Sequence, residues 1–519
     1  MRLFAAFVIA TVSGYIALSY EILWVRIYGF LTESPADAFG FLLGSYLAGI
    51  AIGAFIARLF CCHAEDSGRE KRLYVLGLFT LAANVLGFLV IPVIAAYAPS
   101  WNDPEIWSLW IFAAVAALLG TSLPLVAHFG IPPNEKVGAR LSYLYLGNIL
   151  GSAAGSLTTG FWLLDILTLR SLAVFLALLG VTVSGVLILV APASLRRRFY
   201  TACTLIATAV LIVSSSPGLY YAVYEKLLYK SDYEVGMRFA YVYEGKSGIV
   251  SVSTSGVVYG GGSYEGQLNT CPLPARDGNR VVRAYVVASF HPDPKQILVI
   301  GLGSGSWLQV LVNHPDVRSV TVIEINPGYV ELMKRSPVVA SVLANPKVEF
   351  VIDDGRRFMR RTDRRFDVIV QNTMAYWRAH ATNLLSREYL ELTRKHLKKG
   401  GVVYYNTTAA SASHKTGATV FPYVWRFQNM LIASDWPFEI DRERWRRKML
   451  QWQIDGEHVI DFARHSGELE KILYQEEWRG VAAWEDRASI LRRTREDPVI
   501  TDDNMATEWW AYGTYPEAW

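Results

Sequence analysis

Apolar residues dominate the first 215 positions and gather into seven stretches, at about 3–28, 38–60, 73–98, 105–129, 141–164, 171–192 and 199–215. A helix needs roughly 20 residues to cross a hydrocarbon core, so most of these stretches can span a bilayer, the last being the shortest. The first reads as a span rather than a cleaved signal, because it is long and carries Glu21 and Arg26 where small residues would mark a cleavage site. Beyond the spans the period changes. Residues 248–259 alternate apolar and polar around Ser255-Gly256, which predicts a hairpin. Unbroken apolar runs at 297–300, 320–323, 348–352 and 366–370 predict parallel strands covered on both faces. Helices are expected at 307–313 and 386–397 and a strand at 401–405, with Lys398-Lys399-Gly400 as the turn that closes the second helix. The chain thus divides into a helical membrane region (1–216), a linker and small β-domain (217–290), an α/β domain (291–434) and an extension rich in Trp and Arg (435–519). The helices of that extension are expected to pack on the domain or on the membrane surface.

Polar groups follow each predicted strand. Gly301-Leu302-Gly303-Ser304-Gly305 closes the first, so backbone N–H groups and a helix N-terminus would face a ligand there. Glu324 ends the second strand at the spacing where an acid reaches ribose hydroxyls. Asp353-Asp354-Gly355 follows the third and Gln371-Asn372-Thr373 the fourth. An open α/β sheet holds its ligand at these carboxyl ends, and the combination predicts an adenosine-type site.

Gly301, Gly303 and Gly305, then Glu324, then Asp354-Gly355 resemble the spermidine synthase (polyamine aminopropyltransferase) family, a branch of the S-adenosylmethionine-dependent methyltransferase-like fold. The resemblance runs from about 248 to 408. Ser13-Gly14 with Tyr20-Glu21, and Thr501-Asp502-Asp503, are similar to segments of its membrane-fused members. It implies that these residues hold the adenosine part of S-adenosylmethionine, decarboxylated S-adenosylmethionine or methylthioadenosine. Aminopropyl transfer also needs a carboxylate to orient the attacking amine and take its proton. Here the chain departs from the family. Asn372-Thr373-Met374-Ala375 stands where the family has two aspartates, Asn279-Arg280-Val281 where it has Tyr-His-Glu, and Ser304 where its glycine turn has an acid. Gln267 falls near a substrate-side glutamine. Asn372, Tyr376, Trp377, Arg378 and His380 remain near the crevice, and Asn372, Tyr376 and His380 are the catalytic candidates. The expected function is a membrane-anchored transferase that uses an S-adenosylmethionine-type cosubstrate and does not make spermidine. The alternative is a non-catalytic binding or scaffold subunit of a membrane complex.

The 519 residues are 52% hydrophobic, with a mean hydropathy of +0.23; the excess lies in the spans and makes the lipid bilayer a partner. A net charge of +4 is too small to suggest nucleic-acid binding, and four cysteines show neither a disulfide framework nor zinc spacing. Arg58, Arg69, Lys71 and Arg72 lie around the loop after the second span, Lys136 and Arg140 after the fourth, and Arg196, Arg197 and Arg198 after the sixth. The positive-inside rule then puts the N-terminus in the cytoplasm, in a plasma (inner) membrane. Seven crossings would leave the α/β domain outside, away from S-adenosylmethionine; six would return it to the cytoplasm. Glu21 and Arg26 need a partner or a wet cavity within the span and are read as structural. Gly44, Gly49 and Gly53, with Gly147, Gly151, Gly155 and Gly160, mark expected close approaches between helices. A transporter would be expected to show broken helices or matching halves, and the sequence shows no internal repeat.

Overall fold

The computed structural model describes residues 3–62, 69–132, 134–190, 194–372, 375–408, 410–505 and 507–509. The chain forms two units, Met1–Arg238 with Glu244–Gly248 and Phe239–Tyr243 with Ile249–Trp519. In the first, seven helices are long and apolar enough to cross a membrane: Leu3–Leu31, Ala38–Cys61, Leu73–Ser100, Pro104–Gly130, Val137–Ile166, Leu169–Ile188 and Leu195–Leu219. The last is not short. Its 25 residues run through a serine-rich end that a hydropathy pattern cuts off, because the serine hydroxyls bond back into the helix. Ser215 Oγ donates to the Leu211 carbonyl at 2.6 Å and Ser216 Oγ to Val213 at 3.0 Å.

Small residues let two pairs of spans touch backbone to backbone. A Cβ on Gly151 would lie 1.8 Å from the Thr11 carbonyl oxygen, and one on Gly155 2.3 Å from that of Tyr15, so the first and fifth spans meet there. Gly49 and Gly53 do the same for the second span against Ala113 and Ala117 of the fourth. Gly44 and Gly160, expected as contacts, have nothing within 4 Å. Each lies five residues from its neighbour in the stripe, a step that turns about 140° around a helix, whereas a step of four stays on one face.

In the second unit, a small sheet in the order β1–β2–β3–β4 (Phe239–Gly245, Gly248–Ser253, Val257–Gly260, Ser263–Gln267) precedes the main one. The predicted hairpin is β2 against β3, with Val252 facing Val258. The main sheet is built from β5 (Gln296–Ile300), β6 (Ser319–Glu324), β7 (Val348–Ile352), β8 (Phe366–Gln371), β9 (Leu397–Asn406), β10 (Tyr423–Phe427), β11 (Met430–Ser434) and β12 (Trp484–Asp486). Its order is β12-β10-β11-β9-β8-β5-β6-β7. β5 to β9 pair in parallel, and β11 enters antiparallel against β9. Order reverses on either side of β5, which leaves a crevice at the carboxyl ends of β5 and β8. This is the α/β S-adenosylmethionine-dependent methyltransferase-like fold, and it follows seven long apolar helices.

The unbroken apolar runs have a direct cause. Ile297 and Val299 of β5 pack into one core layer with Val320, Val322, Val368 and Val370, while Leu298 and Ile300 pack into the opposite layer with Ile323 and Ile369. Trp445 and Trp452 from the extension are fully buried in the first layer, and the indole N–H of Trp452 donates to the Val310 carbonyl at 3.1 Å. One expected turn is corrected. Ser386 caps a helix at Arg387–Lys395, whose C-cap is His396, and β9 already starts at Leu397. Pairing jumps from Phe366–Leu397 to Val368–Val402, so Lys398-Lys399-Gly400 bulges out of the strand instead of ending the helix.

Candidate functional site

The turn after β5 works because three glycines adopt left-handed backbone, with φ of 83° at Gly301, 54° at Gly303 and 77° at Gly305. Space is as restrictive as conformation: a Cβ on Gly301 would sit 2.7 Å from the Asn372 carbonyl oxygen, and one on Gly303 3.0 Å from that of Glu265. Glu324, at the end of β6, is buried beneath this turn. Its carboxylate accepts from the Leu302 N–H at 2.7 Å and the Asn326 N–H at 2.8 Å. Burial pushes the Glu324 carboxyl up to about 7 against the pull of those two N–H groups. Asp354 caps the helix Gly355–Arg361, accepting from the Arg357 N–H at 2.7 Å.

A cavity of about 520 Å³ opens beside the turn, lined by Leu302 and Ser304, by Glu265 and Gln267 of β4, and by Asn372 and Asn406 at the ends of β8 and β9. Asn372 is the end of a chain of amides. Arg283 Nη1 donates to Asn429 Oδ1 at 2.6 Å, Asn429 Nδ2 to Asn406 Oδ1 at 2.9 Å, and Asn406 Nδ2 to Asn372 Oδ1 at 3.1 Å. Every link is neutral after the guanidinium, so this wall positions hydrogen bonds but takes up no proton. Among the described lining residues one carboxylate occurs, Glu265, and Arg378 Nη1 reaches it at 2.8 Å. Burial raises the Glu265 carboxyl, and the Arg378 charge holds that rise back.

Leu302 and Ser304 of the glycine turn, Asn372, Gln267, Asn279 and Arg280 therefore share one cavity, whereas Gly301, Gly303, Gly305, Glu324, Asp354, Tyr376 and His380 do not line it. Thr373 and Met374 lie outside the described residues. Tyr376 donates its N–H to Thr408 Oγ1 at 3.0 Å and packs against the second core layer. His380 is exposed, with a φ of 69°, and its backbone N–H donates to Glu508 Oε2 at 2.9 Å. Arg378 is the ion-pair partner of Glu265. Reading the sequence missed Glu265, Arg283, Asn406, Asn429, Trp478 and Arg479, all of which line the cavity. They come from separate segments, and only Glu265, an acid inside an otherwise glycine- and tyrosine-rich strand, left a local trace.

Residues 283–420 match the spermine/spermidine synthase domain family. The chain is 40% identical over 114 residues to a spermidine synthase of Dictyostelium discoideum, covering 22% of this chain and 40% of that protein. It is 32% identical over 173 residues to a polyamine aminopropyltransferase of Thermococcus kodakarensis, covering 30% of this chain and 60% of that one. A polyamine aminopropyltransferase of Streptococcus pneumoniae is 26% identical over 219 residues, which cover 37% of this chain and 76% of that protein. Among solved structures, the spermidine synthase of Thermotoga maritima aligns with a TM-score of 0.34 and 18% identity, over 46% of this chain and 89% of that one. The chain thus spans under half of the first of these relatives and well over half of the other two. The α/β region after the seven apolar helices thus contains, over residues 283–420, a match to the spermine/spermidine synthase domain.

Proposed function

We propose that the second unit binds the adenosine half of an S-adenosylmethionine-type cosubstrate, S-adenosylmethionine or its decarboxylated form, or of the thioether product such as methylthioadenosine that transfer leaves behind, and transfers a group to an acceptor other than putrescine. One observation carries this reading: the glycine turn, held from beneath by the Glu324 carboxylate through the Leu302 N–H, presents Leu302 and Ser304 to a cavity large enough for a small ligand. The residues fit such a group. Leu302 and Ser304 would bring the turn to such a group, the Asn372 amide would meet it from the end of β8, and Glu324 would hold the turn in place through the Leu302 N–H. When bound, the sulfonium supplies an activated carbon; the chain supplies orientation through the turn and the amide wall. Putrescine is disfavoured because the one described carboxylate of the cavity already pairs with Arg378.

Calorimetry on detergent-solubilised full chain tests this. Methylthioadenosine should bind, Glu324→Ala should weaken it about tenfold or more, and putrescine with decarboxylated S-adenosylmethionine should yield no spermidine above background. Absence of methylthioadenosine binding overturns the reading. The Glu265–Arg378 pairing also favours a second reading, a binding subunit of a membrane complex that holds a nucleoside without turnover; nucleoside binding with no transfer to any acceptor offered would select it.

A further inference from the structure

We propose that the cavity beside the glycine turn takes an anionic ligand, one that presents a carboxylate or phosphate to Arg280 and Arg283. The ligand's role as acceptor rests on the transferase reading above, but its charge does not. Among the described lining residues three are guanidiniums, Arg280, Arg283 and Arg479, and one is a carboxylate, Glu265. Glu265 is matched by Arg378 at 2.8 Å, and both side chains are almost wholly withdrawn from water. That pair offers a ligand little net charge. The other acid nearby, Asp277, spends its oxygens on the backbone N–H groups of Val281 and Val282. One such charge acts on both Arg280 and Arg283 and cannot balance the three guanidiniums.

The arginines are built into the wall. Arg283 donates through Nε to the Arg280 carbonyl and through Nη2 to the Asn279 carbonyl, both at 3.0 Å, and lies over the Trp307 ring at 5.4 Å. Arg280 and Arg479 both lie over the Trp478 ring, at 5.3 and 5.4 Å. Two like charges beside one ring repel, and burial, with the Arg479 charge added to it, holds Arg280 below its ordinary range. Arg280 also adopts a left-handed backbone, with φ of 53°, an arrangement that costs free energy and is found at ligand-holding positions. An anion between these groups relieves the repulsion and gains charge-assisted hydrogen bonds from planar guanidiniums. The other described lining residues include the neutral amides of Asn279, Asn372, Asn406 and Asn429 and no further carboxylate. A diamine would bring positive charge to a wall whose one described carboxylate already pairs with Arg378.

The test uses detergent-solubilised full chain and three probes, inorganic phosphate, succinate and putrescine, titrated by calorimetry at low salt, with methylthioadenosine measured on the same samples. Phosphate or succinate should bind and putrescine should not; whichever anion binds more tightly names the source of the charge. Arg280→Gln should weaken that anion about tenfold, Arg280→Lys should retain more of the affinity, and an unchanged melting temperature would show that both variants fold. Putrescine binding without anion binding, or anion binding indifferent to Arg280→Gln in a folded variant, overturns the inference. Anion binding without methylthioadenosine binding supports the inference while overturning the transferase reading; methylthioadenosine binding without anion binding does the reverse.

Discussion

Glu324 shows how one buried carboxylate ties the site to the stability of its domain. Its folded-state value of about 7, against an ordinary 4.5, means that the folded domain keeps a proton which the unfolded chain has already lost between those pH values. The stabilisation from that retained proton is complete below about 4.5 and disappears as pH rises through about 7. Glu324→Gln should therefore make the melting temperature fall less steeply across this window, measured on full chain in detergent. Some slope will remain, because burial also raises Glu265. An equal slope in the variant would show that Glu324 is ionised throughout. Glu324 was legible in the sequence because it ends an apolar run at a fixed distance from a glycine turn. Glu265 left only the trace of an acid in a short strand, since its meaning depends on Arg378, more than a hundred positions away.

At the level of elements, the extension after the parallel strands is part of the domain's core and wall. β12 extends the sheet beside β10, where Arg426 Nε meets Glu485 Oε2 at 2.8 Å. Trp452 is fully buried, stacked edge-on against Tyr285 at 4.7 Å and bonded to the Val310 carbonyl. Trp452→Ala should cost about 3–5 kcal/mol, the range for emptying a buried aromatic site, read from urea unfolding followed by circular dichroism. A loss under 1 kcal/mol would mean that this segment merely rests on the surface. The same extension brings Trp478 and Arg479 to the cavity. Its richness in Trp and Arg announced packing, but not which side chains pack and which face a ligand, because period alone does not say what an irregular segment lies against.

For the molecule as a whole, the number of crossings decides what chemistry is open to it. The seventh apolar helix has 25 residues, long enough to cross. With the basic loops after the second, fourth and sixth spans in the cytoplasm, an odd number of crossings puts the segment beyond the seventh on the far side. A reporter that works only in the cytoplasm, fused after Trp519, should give no signal. A strong signal would mean that one helix does not cross, and would return the domain to the compartment that holds S-adenosylmethionine. An external domain would instead favour the binding role.

What the sequence determined by itself was everything carried by local period and by strand ends: seven apolar helices, parallel strands covered on both faces, the glycine turn at 301–305 and an acid at Glu324. These follow from how often a side chain returns to one face, which a single segment encodes. Tertiary structure alone decided which glycines touch a neighbour, so that Gly49 and Gly53 do and Gly44 does not. It also decided that Asp354 is spent on a helix cap, that His380 and Tyr376 stay off the cavity, and that Glu265 is matched by Arg378 while arginines gather from distant segments. The physical reason is common to all of these. Charge balance and contact are sums over neighbours in space, and neighbours in space are chosen by the packing of the sheet, not by adjacency in the chain.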